Sequence, residues 1–271
     1  MIDFRNSILL TEFDSSNKDI NLRAQRIIDQ VIKMSIGVPL KLIGKLDLDG
    51  SYPIAQTKKI SKTRVISIGV GNNIVFDKKM ARLGASVWLY DHTTEPEIYK
   101  IFWPNIAYSK IGVSSKKGTV SCLTLSEILD ASVSNKKFDQ TILKMDCEGE
   151  EWDVILKTPY RYLDKVDQII VELHNLNKIS SRSLSNKYIE VLRKLKKNFV
   201  ITYIATNNFT PIVKLENGKS WPFTIEIHLL TKSQLKDFNI SELSVGLPNG
   251  LGFKKRNWHL SKRKGVEDWF Q

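Results

Sequence analysis

Apolar positions recur at near-helical spacing over residues 18–35, where Ile20, Ile27, Ile28, Val31 and Ile32 share a face. Ser16 or Asn17 stands in front as a cap, so the segment reads as one amphipathic helix whose work is packing. From about residue 64 the pattern changes to short apolar runs separated by helical segments. Residues 64–69 (RVISIG) are β-branched and read as a buried strand. Residues 76–83 follow as a helix stopped at Gly84, a residue suited to the left-handed turn after a helix. Further strands are expected at 87–90, near 106–113, at 141–145, at 168–173 (QIIVEL), at 200–205 and at 224–231. Between them come a short helix at 124–129 and one with Trp152, Ile155 and Leu156 on a common face, ended by Pro159. A longer helix from 183 to 198 is marked by Leu184, Tyr188, Leu192, Leu195 and Phe199.

Strands alternating with helices imply right-handed crossovers and a doubly wound, mostly parallel α/β sheet covered on both faces. In such sheets ligands bind beyond the carboxyl ends of the strands, where the strand order reverses. No internal repeat or low-complexity linker interrupts the pattern.

Composition adds a few exclusions. Of 271 residues, 42% are hydrophobic and 26% charged, which excludes wholesale disorder. Lys+Arg number 41 against 29 Asp+Glu, a net charge of +12. That balance favours an anionic partner: nucleic acid, acidic glycan, nucleotide sugar or membrane surface. Cys122 and Cys147 are too few for a disulfide framework or a cysteine-rich zinc site, and read as reduced packing thiols. The N-terminal stretch is not a signal peptide, and nowhere do ~20 apolar residues run together as a membrane span needs. The expectation is a soluble, cytoplasmic protein.

The first chemical signal is Gly69-Val70-Gly71-Asn72-Asn73 between a strand and a helix. Glycines there let backbone approach a ligand, and the helix start offers free N–H groups. Asp91 closes the next strand, placed to accept hydrogen bonds from ribose hydroxyls. A third glycine in phase is missing, which argues against a dinucleotide pyrophosphate and for a ribose-bearing cofactor without one, S-adenosylmethionine.

The blocks VISIGVGNNIVFD, VWLYDHT, LTLSEIL, ILKMDCEGEEWDVIL, QIIVELH, TNNFTPIV and TIEIHLL follow in order. Together they resemble the FkbM-type S-adenosylmethionine-dependent methyltransferases, and KLIGKLDLDGSYPI resembles the DGGY-type element before the core of related members. The resemblance covers roughly residues 41–231. It divides the chain into a helical extension (1–40), a methyltransferase core (41–232) and a basic tail (233–271). It implies a class I methyltransferase fold, Rossmann-like, with seven strands of which the last is antiparallel. It further implies S-adenosylmethionine as methyl donor and an oxygen acceptor, commonly on a sugar or glycan. By the same resemblance Gly69 and Gly71 cradle the donor with Asn72, Asp91 takes the ribose with His92 beside it, and Asp146 sits at the reaction centre. Many class I methyltransferases carry an acid on the first strand where this chain has Ser67; Asp77 and the loop at Asp49–Tyr52 are candidates to replace it at the methionine amino group.

Polar residues gather at the predicted strand ends: Asp146 and Glu148, then Glu172 and His174, then Asn207 and Asn208. A sugar hydroxyl is weakly acidic, so methyl transfer to it needs a base or a metal. His174 is a candidate base, and Asp146 could orient it, bind the acceptor or be the base itself. The alternative is Mg²⁺ held by Asp146, Glu172 or His174, and Asn208. Trp103 and Trp152 read as core, while Trp221, in the turn GKSWPF, offers a ring for a sugar, as does Tyr52. Glu226 and His228 are expected on the solvated face of an edge strand. Two other readings stay open. One is an RNA ribose methyltransferase using a Lys-Asp-Lys-Glu arrangement with Lys45, Asp146 and Glu226. The other is an inactive nucleotide-binding module, which would have no need of Asp146 and His174 together.

Overall fold

The computed structural model describes residues 13–44, 50–94, 103–132, 137–206 and 210–239, with the backbone of 244–245. The roles expected of Lys45, Asp49, Asn207, Asn208 and the basic end of the tail concern residues outside these.

Helix α1 (Lys18–Met34) opens at Asn17, whose side chain accepts hydrogen bonds from the Asp19 and Ile20 amides (3.0 and 3.2 Å). Its apolar face, Ile20, Ala24, Ile27, Ile28 and Val31, is buried, and the helix packs on a later one in the chain. The core sheet has seven strands: β1 (Thr63–Ile68), β2 (Ser86–Tyr90), β3 (Ile106–Ser109), β4 (Gln140–Met145), β5 (Gln168–Leu173), β6 (Phe199–Thr206) and β7 (Ile225–Thr231). The helices between them are α2 (Val75–Arg82), α3 (Leu125–Ala131), α4 (Glu151–Lys157), α5 (Tyr160–Leu163) and α6 (Arg182–Lys196), the partner of α1.

The spatial order is β3-β2-β1-β4-β5-β7-β6, with β7 antiparallel to both neighbours. This is the class I methyltransferase fold. The order reverses between β1 and β4, so the loops leaving those strands diverge and open a crevice at their carboxyl ends. One face of the sheet is covered by α1, α4 and α6. The other is covered by α2 and by a hairpin of Leu40–Ile43 and Tyr52–Ala55.

Two expectations are corrected. The run 106–113 is not one strand: the Ile111 amide turns back onto the Ser109 carbonyl (2.8 Å), and Gly112–Val113 pairs separately with Cys122–Leu123. Strand β7 is not at the edge. β6 lies outside it, so all seven residues of β7, including Glu226 and His228, are buried. No helix among the described residues is long and apolar enough to cross a membrane.

Candidate active site

The turn after β1 is held from two sides. Gly69 donates to the Tyr90 carbonyl (2.9 Å), and the Asp146 amide donates to the Ile68 carbonyl (3.0 Å). Gly69 has φ +70°, and a Cβ there would lie 1.6 Å from the Asp146 carbonyl oxygen. Its lack of a side chain therefore serves the crossing of two backbones. Gly71 differs: at φ +50° an added Cβ would meet nothing within 4 Å. The loop leaves open space at Gly71, as a cradle for a ligand requires. Asp91 Oδ2 accepts from the Gly71 amide (2.8 Å), while Oδ1 accepts from the Thr93 amide and hydroxyl (both 2.7 Å) and the Thr94 amide (3.0 Å). Burial works against the Asp91 carboxylate, yet the bonds from Thr93, Gly71 and Thr94 hold it below the usual carboxylate range. Asp91 thus ties the glycine loop to the end of β2. Asn72 is exposed at the tip, and exposed His92 lies against Gly112.

Asp77 does not open onto the crevice. It is fully buried, and its Oδ1 accepts from Ser67 Oγ (2.5 Å). An acid does stand beside the end of β1, but α2 delivers it. Enclosed there, Asp77 acts through Ser67 and through its field on Lys144, not by touching a donor.

The acidic cluster lies at the ends of β4 and β5. His174 Nε2 is 3.8 Å from Asp146 Oδ1 and 3.7 Å from both Glu172 Oε1 and Glu148 Oε2. Its Nδ1 is 3.1 Å from Glu151 Oε1. Glu151, at the start of α4, has a fully buried side chain and also accepts from the Cys147 amide (2.6 Å) and the Gly149 amide (3.1 Å). Glu148 (φ +54°) and Gly149 (φ +117°) form the left-handed turn that makes this possible. The His174 carbonyl is pinned by Trp152 Nε1 (2.7 Å). Burial opposes a charge on His174, but the bond to Glu151 and the charges of Glu151, Glu172 and Asp146 push it up to about 9. Burial raises Asp146, with Lys144 and His174 pulling the other way. Burial and the Glu151 and Asp146 charges push the Cys147 thiol up, which leaves it unreactive.

The expected sugar platform at Trp221 is overturned. Its side chain is fully buried, and Nε1 donates to the Leu176 carbonyl (3.2 Å), because the strand Ser220–Pro222 folds inward. Tyr52 is also buried, edge-on to Phe76 at 5.4 Å between ring centroids, so its ring offers no open face.

Against known proteins, the model of the Methyltransferase FkbM domain matches residues 54–199, more than half of the chain. The chain belongs to the FkbM methyltransferase family. No curated protein matches it in sequence. Among solved structures it is similar to a fibrillarin/Nop5p complex (11% identity, TM-score 0.39, covering 63% of this chain and 73% of that one). It is similar also to a putative S-adenosylmethionine-dependent methyltransferase from Listeria monocytogenes (12%, 0.39, 65% and 93%). A third is a putative RNA methyltransferase from Pyrococcus horikoshii (15%, 0.31, 62% and 74%).

The FkbM domain spans the glycine loop, Asp91 and the whole acidic cluster, and the enzyme is an S-adenosylmethionine-dependent methyltransferase. Open space at Gly71 beside Asp91 fits that donor. Two members of the site escape a reading of the sequence. Glu151 looks like an ordinary acid at a helix start until its burial is seen. Lys144 interrupts the apolar run of β4, and that interruption was the available signal.

Proposed function

We propose that this FkbM methyltransferase methylates a hydroxyl oxygen on a sugar, in a glycan, glycoconjugate or nucleotide sugar. The observation that carries the reading is the cluster of Asp146, Glu172 and His174 at adjoining strand ends, next to the glycine loop. A hydroxyl acceptor must lose a proton, and this cluster supplies acceptors for it.

S-adenosylmethionine, when bound, supplies an electrophilic methyl group on a sulfonium. Gly71 and Asn72 line the loop that receives it, and Asp91 accepts from its ribose. Asp146 accepts the proton of the acceptor hydroxyl. His174 was the expected base, but at about 9 it is an imidazolium at neutral pH, with roughly one part in a hundred neutral. Its role becomes orientation: held by Glu151 at Nδ1, it presents a positive Nε2 to Asp146 and Glu172. The positive net charge draws an acceptor bearing phosphate or carboxylate.

A second reading is favoured by one observation. Donor atoms of Asp146, Glu148 and His174 all lie within 4.8 Å of one another. Two carboxylates and an imidazole suit a divalent cation such as Mg²⁺, which would polarise the acceptor oxygen as a Lewis acid. The RNA alternative is less well supported, since Glu226, which that scheme needs, is engaged by His228 (2.7 Å).

The test is transfer of labelled methyl from S-adenosylmethionine to a panel of glycans, nucleotide sugars and RNA. Label on a sugar hydroxyl, lost in Asp146→Asn with S-adenosylhomocysteine affinity intact, supports the proposal. Label on RNA ribose and on no sugar refutes it. Loss of activity in chelator, restored by Mg²⁺, selects the metal version.

A further inference from the structure

Lys144 lies in the middle of the sheet, paired in register with Ser67 on β1 and Ile170 on β5. Its residue is only 4% exposed. A buried ammonium normally finds hydrogen bonds or an ion pair, because taking its charge out of water without either is unfavourable. Among the described residues Lys144 makes neither. Its ammonium stands over the Tyr52 ring, whose centroid is 5.3 Å from Nζ. The Tyr52 hydroxyl likewise makes no hydrogen bond among the described residues. Two polar heads with unmet hydrogen-bonding capacity therefore stand side by side on one face of the sheet.

The surroundings say which way these heads are directed. The Tyr52 ring centroid lies 6.1 Å from that of His228, whose Nε2 is 2.7 Å from Glu226 Oε1, so the phenol stands beside the acid of β7. Lys144 stands two residues before Asp146, and the alternation of side chains along a strand sets position 144 on the face that Asp146 continues, so its ammonium lies on the Asp146 side of the site. His174, the other cation there, is already bonded to Glu151.

We propose that Lys144 is a catalytic residue, donating a hydrogen bond from its ammonium to the acceptor oxygen as negative charge develops on it. The assignment rests on the O-methyltransferase reading. In the step, the O–H bond of the acceptor breaks and its proton passes to the Asp146 carboxylate. An oxygen lone pair forms the new O–CH₃ bond while the S–CH₃ bond breaks, its electron pair staying on sulfur, which leaves as S-adenosylhomocysteine. In a site dominated by carboxylates an alkoxide would be repelled from most sides. Lys144 supplies the opposing charge, preorganised and already desolvated.

The experiment compares the full-length enzyme with Lys144→Met and Lys144→Arg, using whichever hydroxyl acceptor the wild type turns over. Three readouts are taken: thermal melting, calorimetric affinity for S-adenosylhomocysteine, and kcat against KM. Lys144→Met loses no hydrogen bond, and its cost is limited to the field Lys144 shares with buried Asp77, so the variant should still fold with a cooperative melt. Its kcat should fall about 10²–10³-fold, as on losing one oxyanion donor, with S-adenosylhomocysteine affinity within about threefold. Lys144→Arg should recover part of the rate. A Met variant with near wild-type kcat, one that fails to fold, or one that loses S-adenosylhomocysteine affinity at unchanged kcat would each overturn the assignment. Label on a nitrogen acceptor would also overturn it. Label on RNA ribose in place of sugar would refute the sugar reading alone and leave this comparison to be made on RNA.

Discussion

Replacing Glu151 by Gln tests the claim that His174 is a held imidazolium. The substitution keeps size and one carbonyl oxygen for the Cys147 and Gly149 amides, but removes the charge 3.1 Å from His174 Nδ1. Glu151 contributes both a hydrogen bond and a charge to the upward shift of His174, ahead of Glu172 and Asp146. The titration midpoint of His174 should therefore fall from about 9 by a unit or more, toward the ordinary value near 6.5. The chain has four histidines, so the imidazole Cε1–H signals can be followed by proton NMR, with His174→Gln as the assignment control. The shift also appears in stability. A folded-state value raised above the unfolded one means that His174 contributes stability fully below pH 6.5, and that this is lost as pH rises through about 9. The gap of roughly 2.5 units corresponds to about 3 kcal/mol across that window. Urea unfolding at pH 6.5 and 9.5 should show that loss in the wild type and roughly half of it in Glu151→Gln. A midpoint still near 9 in the variant, or wild-type stability flat across the window, refutes the reasoning.

Asp91→Ala should weaken S-adenosylmethionine and S-adenosylhomocysteine by about ten- to over a hundred-fold in calorimetry, the value of one charge-assisted hydrogen bond to Oδ2, roughly 1.5–3 kcal/mol; tight NAD binding with neither of these ligands would sink the donor assignment. Gly69→Ala should prevent stable folding, since its Cβ would overlap the Asp146 carbonyl. Gly71→Ala, facing open space, should fold with a loss of only about 1 kcal/mol and act mainly on donor affinity; equal stability for the two variants by thermal melting would contradict the geometry. Trp221→Ala should lower unfolding free energy by about 3–5 kcal/mol as a core truncation, and a change in acceptor KM at unaltered stability would restore it as a platform.

Much of the fold was legible because its signals are local. The helical spacing of Ile20, Ile27, Ile28 and Val31 depends on no partner, and Asn17 caps that helix through bonds two and three residues away. The apolar strands, the glycine turn and the acid closing β2 are likewise short-range. The same holds for Asp146, Glu172 and His174: each follows or ends a predicted strand, and the rule that ligands sit at carboxyl ends in a doubly wound sheet brought them together.

The sequence by itself determined the element order, the glycine loop with Asp91, the family blocks and the residues that meet at the crevice. Tertiary structure alone decided the state those residues are in. His174 reads as a base until Glu151, 23 positions away, is seen bonded to it inside the protein. Glu226 and His228 read as solvated until β6 is placed outside β7. Trp221 reads as a surface ring until its strand is seen to turn inward, and Lys144 as an irregularity in β4 until its ammonium is found enclosed beside Tyr52. The physical reason is common to all four. Charge state and exposure are set by what lies within a few ångströms in space, and those neighbours come from strands and loops that sequence spacing does not reveal.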